Sequence, residues 1–214
     1  MTRPAALARG LESLGLPCGD ELVSRLLAYL VELEKWNKVY NLTGIPVADW
    51  ISRLLLDSLA IAPWVKGQAI LDVGTGNGLP GLPLALLFPD KEVTLLDSNG
   101  KKTRFLEQVR IQQQLANVTV VQARAEAFTG QFDIVTCRAL ASLADISALT
   151  AHLLRPAGKV LAMKGELDRT ELAQDLSPLT IEKTVALEVP GISTARHLVI
   201  MGHGKHHRGA EGWQ

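Results

Sequence analysis

The chain has 214 residues, of which 47% are hydrophobic and 21% are charged, a composition typical of one globular domain with an added segment. Basic and acidic residues both number 22, so the formal net charge is zero. This balance excludes affinity for nucleic acid through broad phosphate neutralisation and leaves a local basic patch or a folded substrate. No apolar run reaches the roughly 20 residues that span a bilayer. Two separated cysteines, Cys18 and Cys137, give neither a disulfide framework nor a metal-ligand pair. We therefore expect a reduced, cytoplasmic protein without a metal.

The first third of the chain has helical patterning. Apolar residues recur at helical spacing over residues 22–33, and Asp20 can cap the helix that they predict. The next segment, WNKVYNLTGIP, interrupts this period because it contains asparagine, glycine and proline. A second predicted helix begins at Asp49. Together these elements predict a helical N-terminal extension over residues 1–66.

Short apolar segments alternate with helical segments from Gln68 onward. The segments that predict strands are AILDV, VTLLD, VTVV, FDIVT and KVLAM. Alternation of strands and helices implies a mostly parallel sheet that is covered on both faces. Two further segments, TVALEV and RHLVIM, follow with only a short link and predict a final hairpin, so that one strand runs antiparallel. The predicted fold is α/β, a doubly wound, Rossmann-like sheet of seven strands over residues 67–201, followed by a flexible tail over residues 202–214.

The glycine-rich turn after the first predicted strand, LDVGTGNGLPG, is the most informative segment. Gly74, Gly76 and Gly78 allow a sharp turn and let a ligand approach the bare backbone. Ligands of doubly wound sheets bind outside the carboxyl ends of the strands. Asp97 ends the second predicted strand, where a carboxylate can accept hydrogen bonds from ribose hydroxyls. The turn and the acid together predict a site for a cofactor that contains a ribose.

Two cofactors compete for this turn. A G-x-G-x-x-G pattern that begins at Gly76 matches dinucleotide sites, but it starts later after the strand than the tight phosphate turn requires. Asp72 would repel phosphates and suits the ammonium group of S-adenosylmethionine. Ala125 and Glu126 follow the third strand, where an adenine would bind, although Glu126 alone is more typical of a solvated helix start. These residues favour S-adenosylmethionine, with NAD and an oxidoreductase as the alternative, and a turn that serves packing only as a third interpretation.

Seven motifs resemble, in order and spacing, a single protein family. They are WNKVYNLTG, RLLLDSL, LDVGTGNGLPGLPLA, LLDSNGKKTRFL, CRAL, MKG and RHLVI. Together they resemble the small-subunit ribosomal RNA guanine-N7 methyltransferases, also called glucose-inhibited division protein B, over nearly the whole chain. Glycine turns are common among methyltransferases, whereas WNxxxNLT together with GLPG and RHLVI is much more specific. The resemblance implies an S-adenosylmethionine-dependent enzyme that methylates N7 of a guanine in the decoding region of bacterial 16S rRNA.

The resemblance also implies the residues of the cofactor site. Carried over position by position, they are Gly74, Leu79, Asp97, Ala125, Glu126 and Arg138, to which the glycine turn adds Gly76. One position departs from the family pattern. Where the family often has a histidine in its RHxxDSL segment, this chain has Leu54. Any role of that imidazole is therefore absent here.

Methylation at guanine N7 needs no general base, because N7 has a free lone pair and loses no proton. We therefore assign no catalytic residue and expect the enzyme to hold the methyl group in line with N7, with Arg138 as a candidate positioning residue. FDIVT is not followed by the Asn/Asp-Pro-Pro-aromatic motif of enzymes that methylate exocyclic amines. Cys137 leaves open a mechanism in which its thiolate adds to a cytosine ring, although a cysteine at a strand end is more often an apolar filler.

The candidate RNA contacts are basic residues, namely Lys101, Lys102, Arg104, Lys164 and Arg196. A solvated helix face is an equally good interpretation of the first three. The basic stretch Lys205–Arg208 in the tail could contact RNA or a metal. The predicted partner is 16S rRNA, either free or within a small ribosomal subunit particle, and we expect a monomer. A methyltransferase of this fold that acts on a protein or small molecule, and a binding module without activity, remain as alternatives.

Overall fold

The computed structural model describes residues 2–139 and 141–204, and a seven-stranded sheet forms its centre. The strands are β1 (Ala69–Val73), β2 (Glu92–Asp97), β3 (Val118–Gln122), β4 (Phe132–Arg138), β5 (Leu154–Lys164), β6 (Leu179–Ala186) and β7 (His197–His203). Their order is β3-β2-β1-β4-β5-β7-β6. The pairs from β3 to β5 are parallel, and β7 runs antiparallel to both β5 and β6. The predicted α/β fold, with one strand opposed to the others, is confirmed.

Helices cover both faces of this sheet. They are α1 (Arg3–Ser13), α2 (Asp20–Tyr40), α3 (Asp57–Leu59), α4 (Gly81–Leu87), α5 (Gly100–Gln112), α6 (Leu143–Thr150) and α7 (Arg169–Leu172). Successive residues of β1 point to opposite faces, so Ile70 packs with the cluster under α4 and α5, and Leu71 with the cluster under α6. All five residues of β1 are buried, which explains why its sequence is an unbroken apolar run apart from Asp72.

The second helix predicted for the extension is confirmed as a continuous helical segment over residues 50–59. Its first part, Ile51–Leu56, is a π-helical turn and its last part is α3, with a 3-10 turn over Val47–Asp49 before it and another over Ala62–Trp64 after it. The carbonyl of Arg53, within the π-helical turn, accepts a hydrogen bond from the Arg138 guanidinium at 3.1 Å. This hydrogen bond ties the helical segment of the extension to the end of β4.

The last two strands differ from their predicted bounds. β6 begins at Leu179, earlier than the predicted TVALEV segment. It lies at the edge of the sheet and carries polar residues, so the apolar pattern does not mark its start. A register shift in its pairing with β7 lies between Ile181 and Lys183. β7 continues to His203, so Gly202 and His203 belong to the sheet and not to the tail. Residues 205–214 lie outside the described residues. The division of the chain into an extension, a sheet domain and a tail stays a prediction.

The N-terminal extension packs directly on the sheet domain. One continuous hydrophobic cluster contains Leu7 of α1 and Leu30 of α2 together with Ile70 of β1. The Arg25 guanidinium donates a hydrogen bond to the Gln113 carbonyl at 2.8 Å, and the Gln113 amide donates one back to the Arg25 carbonyl at 3.2 Å. Within the part of the chain that the structure describes, no helix is long and apolar enough to cross a membrane.

Candidate functional site

A buried carboxylate holds the glycine turn from inside the protein. Asp72 Oδ2 accepts hydrogen bonds from the Thr75 hydroxyl at 2.6 Å and the Gly81 amide at 2.8 Å, and Oδ1 accepts one from the Thr136 hydroxyl at 3.0 Å. Burial raises the pKa of Asp72 to about 6 although these hydrogen bonds lower it. The residue has no exposed surface. Asp72 therefore shapes the turn and does not meet the ammonium group of a ligand, contrary to the prediction from the sequence.

Two glycines of the turn have different roles. Gly76 has a φ of 62°, and a Cβ built there would come no closer than 3.8 Å to its nearest neighbours, so its outer side is open. Gly78 has a φ of 95°, and a Cβ there would lie 2.5 Å from the Leu82 side chain. Gly78 is thus required by packing, whereas Gly76 leaves room for a ligand against the backbone.

A crevice of about 360 Å³ lies at the carboxyl ends of β1, β2 and β4. The predicted cofactor residues in its lining are Gly74, Asp97, Ala125, Glu126 and Arg138. The other two predicted residues lie elsewhere. Gly76 is beside the crevice and donates its amide to Asp97, while Leu79 is 3% exposed and packs in the hydrophobic core. The contacts of all seven with a cofactor stay predictions.

Asp97 presents a fixed carboxylate to this crevice. Its Oδ2 accepts a hydrogen bond from the Gly76 amide at 2.9 Å, and its Oδ1 accepts one from the Asn99 amide at 2.9 Å. The parallel pairing of Val73 with Leu96 brings the end of β2 beside the glycine turn. Each carboxylate oxygen can accept a further hydrogen bond, as two ribose hydroxyls would require. Lys102 Nζ lies 3.6 Å from Asp97 Oδ2 and lines the crevice, and its contact with RNA stays a prediction.

A second cavity, of about 420 Å³, lies on the other side of Arg138 and Ala139. Both residues line the two cavities, so the end of β4 forms the wall between them. Ala139 has a φ of 50°, a backbone conformation that residues other than glycine rarely adopt and that recurs at functional sites. The wall between the cavities is therefore a place where the backbone is held in a strained conformation.

The predicted RNA contacts fall into two groups. Lys164 and Arg196 line the second cavity, where the Lys164 ammonium donates hydrogen bonds to Glu171 at 2.7 Å and to the Ala141 carbonyl at 3.0 Å. Lys101 and Arg104 are exposed on α5 and line neither cavity. For both groups, contact with RNA stays a prediction. Lys205–Arg208 lie outside the described residues.

Sequence reasoning missed Asp57 as a site residue. It lies in the RLLLDSL segment and lines the second cavity with 6% exposure. Its Oδ2 accepts a hydrogen bond from Arg138 Nη1 at 3.3 Å, and its Oδ1 accepts one from Arg196 Nε at 3.0 Å. A carboxyl group among buried leucines was the available signal, because such a group needs a cationic partner. Leu54, at the position where the family often has histidine, has no exposed surface and packs in the core.

Cys137 does not have the surroundings of a nucleophile. The residue is 1% exposed and lines neither cavity. Burial raises the pKa of its thiol far above the ordinary value. The thiol therefore stays protonated, as expected of an apolar filler in β4.

Comparison with known proteins decides the family. The model of the family described as rRNA small subunit methyltransferase G matches residues 22–199. The chain belongs to this family. A ribosomal RNA small subunit methyltransferase G of Pseudomonas aeruginosa (strain LESB58) is 49% identical over 199 residues, which cover 91% of this chain and 93% of the relative. The protein of that name from Salmonella arizonae is 44% identical over 202 residues, or 93% of this chain and 98% of the relative.

Membership of the rRNA small subunit methyltransferase G family agrees with the fold. The chain is similar to magnesium protoporphyrin IX methyltransferase from Synechocystis, a structure with bound S-adenosylmethionine, at a TM-score of 0.55 and 18% identity. The similarity covers 86% of this chain and 97% of the other, and it shows the fold alone. The predicted fold class, family, enzyme class and methyl donor, S-adenosylmethionine, are confirmed.

Proposed function

We propose that the protein transfers a methyl group from S-adenosylmethionine to N7 of a guanine in the decoding region of 16S rRNA. One observation carries the proposal: in a chain of the rRNA small subunit methyltransferase G family, two cavities meet at the same two residues, Arg138 and Ala139. A methyl donor in one cavity and a base in the other would meet beside Arg138 and Ala139, where the two cavities adjoin.

The residues of the crevice fit S-adenosylmethionine. Asp97 offers carboxylate oxygens to the ribose hydroxyls, and Ala125 and Glu126 lie at the end of β3, beside the position of an adenine. Arg138 offers guanidinium donors for the carboxylate of the amino-acid end. When bound, the sulfonium compound supplies an electrophilic methyl group.

The chain's own contribution is to bind and orient the two reactants. Among the described residues that line the second cavity, Asp57 has the only carboxylate, and two arginines hold it. N7 needs no base, because its lone pair is free. Holding two reactants at reacting distance can itself lower a barrier by roughly 7–11 kcal/mol.

A local basic patch reconciles RNA binding with a net charge of zero. Arg53, Arg138, Lys164 and Arg196 all line the second cavity. Their ion-pair partners are Asp49, Asp57 and Glu171, so four cations face three anions and one positive charge is in excess. Binding through so few cations has a shallow dependence on salt concentration, because each phosphate contact contributes about one unit to the slope. We further propose that the protein acts in the cytoplasm as a monomer.

Transfer of isotopically labelled methyl groups tests this function. The protein is mixed with labelled S-adenosylmethionine and either naked 16S rRNA or small ribosomal subunits that lack the modification, and the RNA is digested to nucleosides. We expect the label in 7-methylguanosine, and the two substrates show which form of the RNA is used. Label in another nucleoside, in ribosomal protein, or in neither substrate would contradict the proposal.

A cysteine variant separates this chemistry from attack by a thiolate. Because Cys137 is buried away from both cavities, Cys137→Ala should keep transfer to within about threefold of the wild-type rate. Loss of all transfer in a variant that remains folded would favour covalent catalysis.

A further inference from the structure

The lining of the second cavity includes a carboxylate from the N-terminal extension, that of Asp57. Asp57 lies at the start of α3, directly after the π-helical turn, whereas Arg138 ends β4 and Arg196 immediately precedes β7. The three side chains are 8%, 19% and 20% exposed. One carboxylate therefore joins two guanidinium groups that come from separate strands of the sheet.

The two arginines retain hydrogen-bond donors beyond those that Asp57 uses. Arg138 Nη1 also donates to the Arg53 carbonyl at 3.1 Å, and Arg196 Nη1 donates to the Ala195 carbonyl at 2.9 Å. Within the described part of the chain, Nε and Nη2 of Arg138 and Nη2 of Arg196 have no hydrogen-bond partner. A guanidinium whose other nitrogens are fixed presents its remaining donors in a defined direction.

We propose that Asp57 is a positioning residue for methyl transfer, which holds Arg138 and Arg196 as one rigid unit around the target nucleotide. This inference rests on the proposed function. Arg138 lines both cavities, so its orientation affects the donor and the acceptor of the methyl group together. Loss of the carboxylate would remove the group that joins the two side chains, and a displacement of about 1 Å can lower a reaction rate about a hundredfold.

The sign of the charge separates positioning from attraction of RNA. Asp57 is an anion in a cavity that would receive a polyanion, so its removal makes the cavity more positive. A contribution to RNA attraction is therefore excluded for this residue, and its loss should not weaken RNA binding. Turnover should fall all the same, because the guanidinium groups are no longer fixed.

The experiment compares Asp57→Asn with wild type in two measurements, kcat for RNA methylation and the dissociation constant of the RNA. The amide keeps the size of the side chain but removes its charge and one of the two oxygen atoms that accept separately from Arg138 and Arg196. We expect kcat to fall at least about tenfold, while RNA affinity stays within about threefold or becomes tighter. Glu34→Gln is the matched control, since Glu34 also lies in the extension and forms one exposed ion pair, with Lys38 at 3.9 Å. Its kinetics should equal those of wild type.

A second variant keeps the test decisive if Asp57→Asn folds poorly. Arg196→Gln breaks one of the two contacts and should also lower kcat. In the double variant of Asp57→Asn with Arg196→Gln, kcat should fall by less than the product of the two single decreases, because both changes act on the same carboxylate–guanidinium cluster. The positioning role would be overturned by a wild-type kcat in Asp57→Asn or by a parallel loss of RNA affinity in that variant. Losses of kcat that multiply in the double variant would overturn it as well. A wild-type protein that methylates no RNA would instead overturn the proposed function.

Discussion

Two carboxylates near the glycine turn have opposite surroundings. Asp72 is enclosed by donors from Thr75, Gly81 and Thr136, whereas Asp97 faces the crevice with capacity to accept further hydrogen bonds. The sequence places both acids at strand ends and cannot tell them apart, because only packing decides which carboxylate is covered. This is why the prediction of a cofactor site at Asp97 agrees with the crevice, while the predicted ammonium contact of Asp72 is wrong.

Asp72 makes the stability of the protein depend on pH. Its pKa in the folded protein, about 6, lies above the ordinary value of 3.8. The folded state therefore holds a proton that the unfolded state has released, so the contribution to stability is complete below about pH 4 and is lost as pH rises through about 6. Asp72→Asn does not titrate, so the unfolding free energy of wild type minus that of the variant should decrease over this range. Urea unfolding at several pH values measures it, and a constant difference would contradict the assignment.

Asp97 should determine cofactor affinity. Asp97→Asn loses the charge and one acceptor atom at the position proposed for the ribose hydroxyls. Hydrogen bonds to charged groups contribute about 1.5–3 kcal/mol each, so affinity for S-adenosylhomocysteine should fall about 10- to 100-fold in calorimetry. Asp90→Asn, at an exposed position before β2, is the control and should bind as wild type does. Equal affinities in the two variants would remove Asp97 from the site.

At the scale of elements, the glycine turn is held between β1, α4 and the extension. Its shape depends on the hydrogen bonds that Asp72 accepts from Thr75 and Gly81. It also depends on α2, where the Tyr29 hydroxyl donates to the Asn77 carbonyl at 2.8 Å. The extension therefore reaches the cofactor turn directly. Sequence patterns predict the helix but not this contact, because a buried tyrosine hydroxyl has many potential acceptors.

Two glycine variants should separate ligand binding from packing. Gly76→Ala places a methyl group in open space, so its stability cost is limited to the strain of an alanine at a φ of 62°, about 1–2 kcal/mol, and the variant should also lower cofactor affinity. Gly81→Ala would bring its Cβ to 2.3 Å from the Leu95 side chain and 2.8 Å from Asp72 Oδ2, so it should lower the melting temperature. Thermal unfolding with calorimetry on both variants measures the two effects. Equal stability losses would contradict the open position of Gly76.

Tyr29→Phe tests the support that the extension gives to the turn. The variant leaves the Asn77 carbonyl without its donor, and an unsatisfied buried group costs about 1–3 kcal/mol. We expect lower stability and weaker binding of S-adenosylhomocysteine. Tyr40→Phe, at a hydroxyl of a 40% exposed residue, is the control. If Tyr29→Phe matched this control in both measurements, the hydrogen bond would have no role in the turn.

One of the two hydrophobic clusters in the described part of the molecule joins the extension to the sheet. Leu7 and Leu30 of the extension share a hydrophobic cluster with Ile70 of β1. We therefore expect a single cooperative unfolding transition that is the same by fluorescence and circular dichroism. A fragment of residues 67–204 should fail to fold, because it would expose the apolar residues of α4, α5 and β1 that pack against α1 and α2. Two separate transitions would show that the extension is an independent unit.

At this scale the sequence predicts the sheet well and the contacts between distant segments poorly. The buried strands β1, β2 and β4 are apolar runs bounded by turn signals, so their positions are local properties. The start of β6 was misplaced because that strand is partly exposed, whereas the helix after Asp49 was predicted and only its π-helical winding over Ile51–Leu56 was not. The cluster at Asp57 depends on side chains from distant segments.

A crystal structure with S-adenosylhomocysteine tests the central claim most directly. We predict the ligand in the crevice at the carboxyl ends of β1, β2 and β4, with its ribose hydroxyls on Asp97 and its sulfur directed toward the wall at Arg138 and Ala139. A ligand bound elsewhere, or one whose sulfur points away from the second cavity, would contradict the account.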